Sequence, residues 1–143
     1  MREIKFRGLT ITDGWVYGDL VHDAYGSTCY YEKCPYRITG VCEHGHFSVP
    51  VKRGTVGQFT GLYDVNSKEI YEGDILVADG DDGRHGGKQY FQIMYGEGSG
   101  TVGFSPHCIT GDYSSVHYEV WDKGEVIGNI HENRELLEAP DEA

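Results

Sequence analysis

Phe59-Thr60-Gly61-Leu62-Tyr63-Asp64-Val65-Asn66-Ser67-Lys68-Glu69-Ile70-Tyr71 reads as two short strands around a polar turn. The flanks carry Phe, Thr, Tyr and Ile, side chains that fit a pleated, half-buried surface. Between them, Asp64, Asn66 and Ser67 can bond their own backbone and reverse the chain. Working outward, the same grammar repeats on both sides. Toward the N-terminus, Ile4 and Phe6 alternate with Glu3, Lys5 and Arg7, and Asp13-Gly14 separates Leu9-Thr10-Ile11-Thr12 from Trp15-Val16-Tyr17. Asp-Gly between β-rich runs signals a hairpin, because both residues tolerate positive φ. Gly18-Asp19-Leu20-Val21-His22 prolongs the second of those strands. Toward the C-terminus, Asp74–Val77, Tyr90–Tyr95, Thr101–Phe104, Val116–Trp121 and Val126–Gly128 read as strands, with Asp122-Lys123-Gly124-Glu125 as a hairpin turn. Residues 23–46 are the exception: no simple alternation runs through them. Only the end predicts a helix, with Asn133 as its cap, Leu136 and Leu137 inside it, and Pro140 limiting it. The fold class is therefore all-β with one short C-terminal helix, in a single domain spanning 1–143.

Composition agrees with a folded core. Hydrophobic residues make up 38 % and aromatics 13 %, which excludes wholesale disorder. Twenty-one glycines, dispersed and not periodic, suit many tight turns. The 23 acidic and 12 basic residues leave a net charge of −11. Duplex binding requires Lys and Arg to neutralise phosphates, so this balance opposes duplex nucleic acid as a partner. No run approaches the ~18 apolar residues that span a bilayer, so a membrane is not an expected partner. The segment Met1-Arg2-Glu3-Ile4-Lys5 lacks the apolar core of a secretory signal. A cytoplasmic, reducing location follows, and there disulfides are not the default for Cys29, Cys34, Cys42 and Cys108.

The strongest site candidate is a set of metal ligands: Cys29, Cys34, Cys42 and His44, with His46 as an alternative. If 42, 44 and 46 lie on one strand they share a face, and thiolate with imidazole ligands suits tetrahedral zinc. The spacings C-x4-C and C-x7-C-x-H-x-H are looser than a paired CxxC signature. Reduced cysteines in a loop-rich segment with surface histidines are the commoner outcome. Zinc is the sole cofactor candidate, and no cofactor is required.

Three weaker motifs dissolve on inspection. Gly98-Ser99-Gly100-Thr101-Val102-Gly103 matches GxGxxG, but Phe104-Ser105-Pro106 follows where a helix must open, so a glycine-rich hairpin is expected. Asp79, Asp81 and Asp82 suggest a calcium loop, yet Gly83 and Tyr90 occupy positions that need oxygen ligands. His107-Cys108 are neighbours whose side chains face opposite ways on a strand. No catalytic residue is assigned.

The longer stretch Thr55–Ile75, with Glu69-Ile70-Tyr71-Glu72-Gly73-Asp74-Ile75 at its end, resembles the central signature of the YopX family, small proteins of bacteriophages and prophages. Met1-Arg2-Glu3-Ile4-Lys5-Phe6-Arg7, Val126-Ile127-Gly128-Asn129-Ile130-His131-Glu132-Asn133 and Glu135-Leu136-Leu137-Glu138 extend the resemblance over nearly the whole chain. It implies a mainly β fold in a bacterial host cell, and it brings no activity to carry over. The corner Glu72-Gly73-Asp74-Ile75 suits an SH3-like barrel by analogy. Two positions depart from the family pattern. Arg134 replaces a usual Pro, which still permits a helix, and Ser67 replaces a usual Gly, which implies a different turn type. The expected role is an accessory protein working through protein contacts, as a homo-oligomer. A zinc-stabilised module acting on a host protein and a small hydrolase-like enzyme with a His/carboxylate site are the alternatives.

Overall fold

The computed structural model describes residues 3–29, 32–79, 88–98, 101–109 and 120–137. The chain divides into two compact units, residues 1–59 and 60–143. The division falls inside a strand, which is why no linker composition marks it.

In the first unit, β1 (Phe6–Leu9) and β2 (Trp15–Cys29) pair antiparallel, with Leu9 opposite Trp15. The loop between them is wider than a two-residue turn. Thr10 N–H donates to the Gly14 carbonyl at 2.9 Å, and Asp13 takes a φ of 64°. The Asp-Gly hairpin signal is borne out, with Thr10–Thr12 in the loop and not in a strand. β2 pairs β3 (Glu32–Cys42), which pairs β4 (Gly45–Val51). The segment expected to be irregular is thus two paired strands. Its alternation is broken because the register shifts between His22 and Ser27, partners of Tyr36 and Cys34 respectively. β2 carries four residues between those positions and β3 carries only Pro35, so the period of two slips by three residues. β5 (Gly57–Tyr63) lies against β1 in this unit, giving the strand order β4-β3-β2-β1-β5. Among the described residues, Leu9, Ile38, Val51 and Phe59 are its buried apolar side chains. Gly40 has a packing reason: the Phe47 ring lies across it, and a Cβ there would sit 2.7 Å from the ring.

The second unit begins in the latter half of β5, which neighbours β6 (Glu69–Tyr71). β7 (Asp74–Asp79), β8 (Lys88–Gly98), β9 (Thr101–Cys108) and β10 (Glu125–Asn129) form an antiparallel sheet in the order β10-β7-β8-β9. One face packs the core: Leu76, Ala78, Phe91 and Ile93, joined by Ile70, Val120 and Val126. The expected turn at 122–125 is instead α1 (Val120–Lys123), closed by Gly124 N–H to the Val120 carbonyl at 2.9 Å. Trp121, expected on a strand, is therefore helical; residues 116–119 lie outside the described residues. The C-terminal helix is a 3-10 turn at Arg134–Leu136, so Arg134 does permit a helix. Asn133 precedes it without a side-chain cap. Its Oδ1 turns back and accepts from Asn129 N–H at 3.1 Å.

Both sheets are antiparallel where their pairing is described, so the mainly β fold holds. Among the described residues neither sheet closes on itself, and the SH3-like barrel is not seen in them. Among them, too, no helix is long and apolar enough to cross a membrane.

In the turn at 64–68 Ser67 adopts a φ of 65°, in the left-handed region that favours glycine. An L side chain pays about 1–2 kcal/mol for that region, and a glycine there adds about 0.4–1 kcal/mol of unfolded-chain entropy. Ser67→Gly should therefore raise stability by roughly 0.5–1 kcal/mol, read as a higher urea midpoint at unchanged slope.

Candidate interaction surface

Within the proposed metal set, the backbone separates what the sequence placed together. Cys42 ends β3 opposite Gly45, and Glu43-His44 form the turn into β4. Register partners share a face. His46 therefore lies with Val41 on the face opposite Cys42 and Gly45. The intervening turn is the reason 42, 44 and 46 do not share one strand face. Cys42 and His46 are exposed, and the exposed His44 ring lies 3.3 Å from the carboxylate of its neighbour Glu43. Cys34 stands at the other end of β3, opposite Ser27. The eight steps of strand from Cys34 to Cys42 span about 26 Å. Cys29, paired with Glu32, belongs to the Cys34 end. The side chains of Cys29 and Cys34 lie outside the described residues. Among those that are described, no three His, Cys, Asp or Glu side chains gather as metal ligands.

The remaining motifs resolve simply. Gly98 and Thr101 are register partners across the β8–β9 hairpin, which is the glycine-rich hairpin expected there. Asp79 pairs with Lys88, while Asp81 and Asp82 lie outside the described residues. His107 is exposed and shares a 3.0 Å hydrogen bond with Ser105 Oγ. Cys108, facing the other way, packs against the second unit's core.

The signature residues are consumed by the backbone. Asp64 is buried, and its Oδ1 accepts from the N–H groups of Asn66 and Lys68, each at 2.8 Å. Its Oδ2 accepts from Val126 N–H at 2.9 Å, sixty-two positions further on. Asp74 Oδ2 accepts from Tyr71 N–H at 2.7 Å. Gly73, at a φ of 92°, donates to the Ile93 carbonyl and accepts from Ile130 N–H. Asn129 Oδ1 accepts from His131 and Glu132 N–H, both at 2.9 Å. These groups hold the second unit together. None is presented to a ligand.

What is presented is a sheet face. On β2 the odd positions Tyr17, Asp19 and Val21 point outward, and β3 adds Arg37, Thr39 and Val41 by register. The exposed face of an antiparallel sheet is ordinarily polar. Here Tyr17 is 46 %, Val21 42 % and Val41 70 % exposed. Arg37 stands among them, its Nε and Nη2 donating to Ser48 Oγ and the Ser48 carbonyl. Sequence reading passed over this face, although a signal existed: Trp15-Val16-Tyr17 is apolar at both parities, so both faces of β2 carry apolar side chains.

A family model described as YopX protein matches residues 5–138. The chain belongs to the YopX family. The stretches of resemblance in the sequence fall within or beside that span. No curated protein matches the chain. Among solved structures it is similar to the crystal structure of protein EF1440 from Enterococcus faecalis, at 24 % identity and a TM-score of 0.49. That similarity covers 96 % of this chain and 100 % of that one. In this YopX chain the central signature therefore has a structural office, with Asp64 at its middle. Asp64→Ala would strand three backbone donors, and hydrogen bonds to a charged group contribute about 1.5–3 kcal/mol each. Only the Val126 bond is fully buried, and the Asn66 and Lys68 donors can turn to water. The substitution should therefore cost on the order of 3 kcal/mol, measured by urea unfolding.

Proposed function

We propose that this YopX protein is a phage- or prophage-encoded accessory protein that acts through protein contacts, assembling with itself in the bacterial cytoplasm. The observation that carries this reading is the outward face of the first unit, where Tyr17, Val21 and Val41 are exposed on a sheet. Exposed apolar groups gathered on one face favour an interaction site over a solvated surface. Tyr is also a residue enriched where proteins meet. The phage setting comes from the family resemblance.

Charge bears on how copies meet. The first unit carries six acidic and seven basic residues, a net of +1. The second carries seventeen acidic and five basic, a net of −12. Second units repel one another, whereas the first units meet at little electrostatic cost. Screening weakens repulsion between exposed like charges. Light scattering from micromolar to millimolar concentration should therefore give a mass that rises above the monomer's, unchanged or larger in added salt. A monomeric mass over a wide concentration range, at low and moderate salt, would end the reading.

A zinc-stabilised form of the same module is a second reading, favoured by one observation. The register sets Cys29 and Cys34 at one end of the β2–β3 pair, so they are candidates for two thiolate donors to a shared ion. Zinc analysis of untagged protein should then show metal that Cys34→Ser removes and Cys42→Ser leaves in place. Metal-free protein that folds normally under chelator would exclude it.

A further inference from the structure

Three features compete for further meaning: the Ser105–His107 pair on β9, the exposed Leu62, Tyr63 and Val65 near the signature turn, and the outward face of the first unit. Ser105 and His107 sit two apart on one strand and make a surface hydrogen bond. No third group is seen to orient the ring among the described contacts, which a nucleophile's base requires. Leu62, Tyr63 and Val65 are exposed apolar residues, but they lie in the unit of net −12, and nothing indicates what covers them. The outward face differs because its own charges say what fits it.

We infer that two copies of this chain pack face to face through β2, β3 and β4 of their first units, about a two-fold axis, with Asp19 of each copy against Arg37 of the other. This rests on the self-assembly reading above and assigns its surface. Asp19 stands opposite Thr39 and Val21 opposite Arg37, so the carboxylate and the guanidinium are diagonal neighbours on one face. A two-fold axis lying in the interface plane, perpendicular to the line that joins them, exchanges their positions. Each negative group of one copy then lies over the positive group of the other. A two-fold interface must complement itself in this way, because the same patch serves both partners. The exposed Tyr17, Val21 and Val41 flank the pair and supply the apolar contact.

The edge of the same sheet is a poorer route. β4 ends the strand order, and Pro50 within it lacks an N–H for pairing. Lys52 and Arg53 follow at its end, and such charges discourage edge-to-edge growth. The face offers on the order of 500 Å² per copy, from strand spacing and rise. That is below the area of a permanent dimer, so the association is weak and concentration-dependent.

Analytical ultracentrifugation of the full chain between micromolar and millimolar concentration tests this. Asp19→Arg and Arg37→Asp should each weaken the dimer about tenfold, since each reversal acts twice across the axis. The double variant should return to within about threefold of the unmodified chain. Val41→Lys changes an outward side chain that the fold does not use, and it should weaken the dimer on its own. Self-association that survives all three single substitutions would overturn the proposed face while leaving the self-assembly reading intact. So would loss in the single charge variants without recovery in the double, when their circular dichroism matches the parent's. A chain that stays monomeric throughout would overturn both.

Discussion

The second unit is organised around one carboxylate. Asp64 is buried, yet its charge is met by three backbone N–H groups: two from its own turn and one from the start of β10. A buried charge is tolerated only when it is so satisfied. A local turn and a distant strand are therefore fixed by the same two oxygens. Val65 N–H, donating to the Gly124 carbonyl at 3.1 Å, adds a parallel tie beside it. Once these bonds are made, Val126 is placed against Leu76, and the core of Phe91, Ile93 and Val120 can close around them.

That arrangement changes how a family signature should be read. Asp64, Gly73, Asp74 and Asn129 are residue types that often mark reaction centres, and here each is occupied by main-chain hydrogen bonds. Their spacing answers to the geometry of turns. The apolar face of the first unit draws on none of these signature residues. What the first unit's sheet presents to solvent and what holds the second unit together thus come from different parts of the sequence.

Much of the fold was legible because its strands obey short-range rules. Asp13-Gly14 marked its hairpin, and the polar run from Asp64 to Lys68 marked its turn. What escaped had physical reasons. α1 is a single helical turn, too short for a 3.6-residue period to declare itself. Asn133 looks like a cap, but its amide oxygen serves Asn129, a tertiary demand that overrides the local preference. The candidate ligands Cys34 and Cys42 looked close because sequence distance says little about a strand, which carries its residues apart at about 3.3 Å each. The outward apolar face went unremarked because a two-faced apolar strand and a buried one look alike until neighbours are known.

The register shift in β2 has a bearing on how such a chain can vary. Between His22 and Ser27 the strand runs three residues longer than its partner, then resumes pairing with Lys33 and Cys34. The surplus is taken up locally, opposite Pro35, a residue with no N–H to leave unbonded. The stretch from Asp19 to His22 keeps its partners whatever the surplus amounts to, and so does the stretch from Ser27 to Cys29. A gene could lengthen or shorten this segment by a codon or several and leave both flanking ladders in step. The bulge is a tolerance for insertion written into a strand, where a loop would ordinarily provide it.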